Sequence, residues 1–162
     1  VEMTYDKKLN YIRHLNDLDK IWKIKIFNDG EETVRGLQIK LSFVPDFAES
    51  WIGHIDAIKA GERADINEPN LVINPAKLLS YNEKLEGNII VELMPADGQS
   101  EAVYKEAFPL TVLPYDQWLS NDHPELLATF VTPNDRRVLE ILATAGKRLG
   151  VQEGIAFRGY GR

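Results

Sequence analysis

Apolar and polar residues alternate along several short segments, and this period of two predicts β-strands with one face in a core. In segment 19–27, Trp22, Ile24 and Ile26 alternate with lysines, so all three side chains are predicted to point inward. A brief apolar run at 71–73 adds a further short candidate. The remaining predicted strands are 34–43, 51–58, 63–66, 87–94 and 102–113.

Turn-forming residues separate these segments. Asn28-Asp29-Gly30 tolerates the positive φ of a tight turn, which leads either into a hairpin or into a strand of a second sheet. Asn74-Pro75 predicts a helical turn through Tyr81, since proline suits the first helical position. Pro109 cannot donate to a ladder, so its strand is predicted to lie at an edge or to contain a bulge. Residues 1–114 are therefore predicted to form an immunoglobulin-like β-sandwich of about seven strands.

The pattern becomes helical after Pro114. Thr132 can cap a helix that starts at Pro133, and apolar residues then recur at helical spacing as far as Gly150. Residues 115–162 are predicted to form a helical tail, the start of the next region of a longer protein.

Composition narrows the classes of function. The 162 residues fit one domain with an appendage, and the absence of cysteine excludes disulfides and thiolate chemistry. No apolar run approaches the roughly 20 residues that a membrane span needs, so a cytoplasmic protein is expected. The net charge of the chain is −6, but it is unevenly distributed. Residues 134–162 have six basic and three acidic residues, a net charge of +3, so residues 1–133 have a net charge of −9. An acidic body repels phosphate, which makes nucleic acid an unfavoured partner.

The sequence offers little catalytic chemistry. His14, His54 and His123 lie far apart and lack neighbours at metal-ligand spacing, and no glycine-rich phosphate loop is present. Carboxylates lie mostly in turns, where solvated acids are usual. We expect no catalytic, cofactor-binding or metal-binding residue, and therefore no enzyme.

Several aromatic residues lie between predicted elements, where binding surfaces are often built. The alternative interpretation is packing, with Trp22 in the core, Trp51 over one end of the sandwich and Trp118 holding the tail. The candidate interaction surface comprises Trp51, Tyr115, Trp118, Leu126, Phe130, Arg136 and Arg137.

Segments 113–118 and 123–135, with the strand pattern before them, resemble a region near the start of large bacterial multidomain proteins that carry a superfamily 1 helicase-type ATPase. The specific part of this resemblance is 125–135. No ATPase motif lies in this chain, so the resemblance implies a non-catalytic N-terminal module of a large intracellular protein.

Two main hypotheses follow from the sequence. In the first, the chain is an accessory or scaffold module that contacts other domains of the same polypeptide or a protein partner. In the second, it is a free-standing module that binds carbohydrate or protein, for which Trp51, Tyr115 and Trp118 must lie side by side.

Overall fold

The computed structural model describes residues 1–16, 21–96 and 101–117, together with Arg136, Glu140, Ala143 and Thr144. The chain divides into two compact units, Val1–Gln117 and Trp118–Arg162. The elements of the first unit are β1 (Glu2–Tyr5), β2 (Lys8–Leu9), α1 (Tyr11–Leu15), β3 (Ile21–Phe27), β4 (Val34–Val44), β5 (Trp51–Ile58), β6 (Arg63–Asn67), α2 (Pro75–Ser80), β7 (Leu85–Pro95) and β8 (Tyr104–Val112).

The protein is mainly β, with two sheets. One sheet has three strands in the order β1-β3-β6, and the other has five in the order β2-β8-β7-β4-β5. All neighbouring strands are antiparallel except β2 and β8, which are parallel. The sequence predicted about seven strands, whereas the structure has eight. β1 and β2 were not predicted, because they are too short to show a clear alternation. The run at 71–73 forms only an isolated bridge between Ala48 and Ile73.

The core lies between the inward faces of the two sheets. Alternate residues of β3, β4, β7 and β8 fill it, as the period of two predicted. Burial of each of these aliphatic side chains contributes about 1.5–3 kcal/mol. The core residues on these strands include Ile24, Ile26, Leu37, Ile39, Leu41, Phe43, Ile89, Val91, Leu93, Leu110 and Val112.

Trp22 is not a core residue, which corrects its predicted position. Its neighbour Ile21 is buried, whereas Trp22 is 43% exposed. The register between β1 and β3 shifts at this point, so that Tyr5 pairs with Ile21 and Trp22 is the additional residue of a bulge. A bulge reverses which side chains point inward, and the sequence of β3 alone does not reveal it.

The other turn predictions have mixed outcomes. The chain passes from β3 in one sheet to β4 in the other, so the segment after Phe27 does not close a hairpin. The helix predicted at Asn74-Pro75 is present as α2, and Asn74 Oδ1 accepts from the Lys77 N–H at 3.2 Å. Pro109 faces Asn88 of β7, while β2 pairs with β8 only at residues 111 and 112, so the other side of β8 is an edge at Pro109.

Candidate interaction surface

Four strands lie at sheet edges in the described part of the chain, and three of them are poor templates for another strand. Natural proteins protect edges by keeping them short or by placing charges and proline on them. β1 has four residues and β2 has two. β6 has five residues, of which Arg63 and Asp65 are charged. Where β2 ends, the open side of β8 carries Lys105, Glu106 and Pro109.

β5 differs from these edges. It has eight residues, contains no lysine, arginine or proline, and pairs with β4 on one side. No described strand pairs with its other side. The residue pairs run from Val34↔Ile58 to Leu41↔Trp51 without a shift in register. β5 is thus the longest regular strand edge that the described residues leave open.

Trp51 and Gly53 fix the start of β5 against the core. Trp51 pairs with the fully buried Leu41 and packs on the core cluster. A Cβ at Gly53 would lie 2.3 Å from the Trp51 ring and 3.1 Å from Ile39 Cγ2. The glycine therefore makes the space that the indole occupies.

Asn28 fixes the other end of β5. It is buried, and its side-chain Nδ2 donates to the carbonyls of Ile58 at 2.9 Å and Glu32 at 2.8 Å, while Oδ1 accepts from the Gly30 N–H at 3.1 Å. Its backbone exchanges hydrogen bonds with the turn after β5, through Gly61 N–H and the Glu62 carbonyl. Because Asn28 closes β3, this side chain connects the end of one sheet to the end of the other.

The exposed side chains of β5 include one carboxylate and no lysine or arginine. Ile52 is 50% exposed, and His54, Asp56 and Ala57 are also exposed. Ile52 faces Lys40 and His54 faces Gln38 on β4. Apolar surface beside one donor and one acceptor is suited to strand addition, in which main-chain hydrogen bonds give affinity and side chains set the register.

The charged groups on the sheet faces are mostly paired with one another. Lys105 lies 2.8 Å from Glu92, and the hydrogen bond from this lysine lowers the pKa of the carboxyl. Lys23 lies 2.7 Å from Asp65 and lowers the pKa of that carboxyl in the same way. These shifts arise from surface ion pairs. Within the described ranges, no group of three or more His, Asp or Glu is placed to hold a metal ion.

The spaces between elements are small or already contain paired charges. A cavity of about 30 Å³ lies among apolar side chains that include Phe43, Phe47 and Ile89, roughly the volume of one water. A groove of about 360 Å³ runs beside α2, where Asp46 and Lys77 form an ion pair. The first space is small and almost entirely apolar and the second already contains an ion pair, so we place the candidate site on the β5 edge.

The structure does not bring the predicted surface residues together. Trp51 faces the core on β5, whereas Tyr115 follows β8, three strands away across the sheet, so the two residues are at least about 14 Å apart. Tyr115 is partly exposed, and its N–H donates to the Tyr81 carbonyl at 3.0 Å. Arg136 is exposed and pairs with Glu140 at 3.0 Å. Trp118, Leu126, Phe130 and Arg137 lie outside the described residues, as does most of the predicted helical tail.

The segment after β8 belongs to the first unit as far as Gln117, three residues beyond the predicted end of the sandwich. Asn10 is almost fully buried, and its Nδ2 donates to the carbonyls of Pro114 at 3.2 Å and Gln117 at 2.8 Å. Its Oδ1 caps α1 by accepting from the Arg13 N–H at 2.9 Å. One asparagine therefore links the N-terminal helix to this segment.

Sequence reasoning missed the β5 edge because the sequence does not show which strand ends a sheet. The sequence contains one indication of an open edge. The eight residues from Trp51 to Ile58 lack the lysine and proline that protect edge strands.

Comparison of the chain with models of protein families, with curated proteins and with solved structures gave no match in any of the three. Among the described residues, no helix is long and apolar enough to cross a membrane.

Proposed function

We propose that this chain is a non-catalytic accessory module that contacts a protein partner, and that the partner adds a strand to the free edge of β5. The observation that carries this proposal is the eight-residue edge without lysine, arginine or proline. Strand addition is a common mode of protein recognition, and it needs a free strand edge of sufficient length. The other described edge strands, β1, β2 and β6, have five residues or fewer.

An immunoglobulin-like sandwich is part of the proposal. The three-stranded sheet combines the first, third and sixth strands, and the five-stranded sheet pairs β8, β7 and β4 with β5 beside them. This order supports the immunoglobulin arrangement, in which strands A, B and E share one sheet and strands C, F and G the other, with further strands beside C in the variable type.

The cellular context is proposed from the sequence resemblance described above. It favours a cytoplasmic module of a larger helicase-like protein, whose other domains or whose protein partners supply the added strand. The acidic body, −9 for residues 1–133, favours a protein partner over nucleic acid. The carbohydrate-binding alternative loses the support it had from the aromatic residues, because Trp51 and Tyr115 do not lie side by side.

The test is titration calorimetry of this chain against the further domains that the resemblance implies, together with calorimetric dilution of the chain itself, because a second copy is also a protein partner. The edge-blocking variant is the double substitution Ile52→Lys and Ala57→Lys, because exposed lysines on an edge prevent strand addition. The matched control is Thr4→Lys and Asn67→Lys, two exposed positions on the three-stranded sheet. We expect binding by the wild type and the control and its loss in the edge-blocking variant. Binding that is equal in all three proteins would contradict the proposal.

A further inference from the structure

We infer that the strand added to β5 is β5 of a second copy of this chain, paired antiparallel about a two-fold axis at Ile55. This inference rests on the proposed function and goes beyond it by naming the occupant of the edge. Paired in this way, the five-stranded sheets of two copies form one continuous sheet.

The side chains of β5 are complementary to themselves in this register. A two-fold axis at Ile55 places His54 opposite Asp56 of the second copy, and the symmetry makes this pair twice. Both residues are exposed and lie on the outer face, so the imidazole N–H can donate to the carboxylate. Opposite charges or donor–acceptor pairs across an antiparallel ladder stabilise the pairing.

The centre of the same register is also compatible. Gly53 lies opposite the exposed Ala57 of the second copy, and the buried Ile55 lies opposite Ile55. The small pair leaves the Trp51 ring undisturbed beside Gly53. The isoleucine pair extends the apolar core across the axis, where directly opposed Cβ atoms lie about 4.5–5.5 Å apart.

Antiparallel pairing about an axis at a neighbouring residue of β5 sets less compatible side chains opposite each other. An axis at His54 sets Asp56 opposite Ile52, and an axis at Asp56 sets two carboxylates directly opposite each other. A shift by an odd number of residues places inward side chains opposite outward ones, which a sheet with one buried face does not allow. The Ile55 axis is the register that pairs His54 with Asp56 without setting like charges opposite each other.

The closing experiment is sedimentation equilibrium of the full 162-residue chain over a concentration series. The variants are His54→Asp, which places two pairs of carboxylates in opposition, and the charge exchange His54→Asp with Asp56→His, which restores both pairs in reverse. The matched control is Asn67→Asp, which adds one negative charge to the edge strand of the other sheet. Circular dichroism verifies that each variant folds.

We expect concentration-dependent dimers of the wild type, dissociation roughly tenfold easier in His54→Asp, and recovery in the charge exchange. Asn67→Asp should match the wild type. A wild type that stays monomeric at every concentration would overturn this inference. So would a charge exchange that dimerises no better than His54→Asp.

The two proposals fail differently. If the chain is monomeric and its calorimetric binding to the rest of the protein still depends on Ile52 and Ala57, the second-copy inference is wrong and the proposed function stands. If neither binding nor self-association depends on β5, both are wrong.

Discussion

β5 and β6 follow one another in the chain, separated by a four-residue turn, yet they form opposite kinds of edge. β6 ends the three-stranded sheet with five residues, and its Asp65 is paired with Lys23 and with Arg63. β5 ends the five-stranded sheet with eight residues and exposes Ile52, His54 and Asp56. A short edge that carries charged side chains is a poor template for another strand, whereas β5 offers a longer ladder without lysine, arginine or proline. This difference is the reason for proposing the contact at β5.

Of the substitutions that test the difference between β5 and β6, we expect the largest effect at Asn28, whose side chain binds the end of β5. Asn28→Ala should lower the free energy of unfolding by about 3 kcal/mol, because it removes three side-chain hydrogen bonds, one of them to the Ile58 carbonyl, in a buried position. Urea denaturation measures this loss. The control is Asn74→Ala, which removes a single exposed cap from α2 and should cost about 1 kcal/mol. Equal costs would show that Asn28 does not have this anchoring role.

A smaller effect is expected at the start of β5. Gly53→Ala should cost about 2 kcal/mol, because the new Cβ meets the Trp51 ring and displaces it from the core. Gly61→Ala in the turn between β5 and β6 meets no atom within 4 Å, and only its φ of +70° is unfavourable for alanine. We expect about 1 kcal/mol there. Thermal or urea unfolding of both variants tests the difference, and a larger loss for Gly61→Ala would contradict the packing described for Trp51.

The smallest effect belongs to β6 and depends on pH. The hydrogen bond from Lys23 lowers the pKa of Asp65 in the folded protein. Its stabilisation is therefore complete above the ordinary carboxyl pKa of 3.8 and is lost as the pH falls through the lower folded value. Asp65→Asn should be slightly less stable at neutral pH and lose less stability on acidification than the wild type.

Melting temperatures between pH 2 and pH 7 measure this effect. Asp29→Asn in the turn after β3 is the control, and it should keep the wild-type acid dependence because Asp65 is retained. An unchanged acid dependence in Asp65→Asn would show that the charges of β6 do not stabilise its own sheet.

Much of the fold could be predicted from the sequence where one face of a strand is buried and the other is wet. β4 and β7 match their predicted segments because Leu37, Ile39 and Leu41, and likewise Ile89 and Val91, alternate without interruption. The Asn74-Pro75 start of α2 was predictable because capping and proline act locally.

The errors come from features that depend on neighbouring strands. Trp22 has the alternation of a core residue, but the bulge against Tyr5 turns it outward. β1 and β2 are too short for their own sequence to identify them. The edge position of β5 follows only from the order of all five strands, so residue types such as tryptophan and tyrosine indicated a different surface from the one that the structure favours.

The most direct test of the account is amide hydrogen exchange of the full chain over a dilution series, with β5 and β6 compared in the same sample. Exchange reports whether backbone amides are hydrogen bonded, and β6 serves as the internal control. The account predicts that the amides of Trp51–Ile58 that face away from β4 gain protection as concentration rises, while those of Arg63–Asn67 do not change. Protection of β5 that is independent of concentration, or protection that appears in β6 instead, would contradict it.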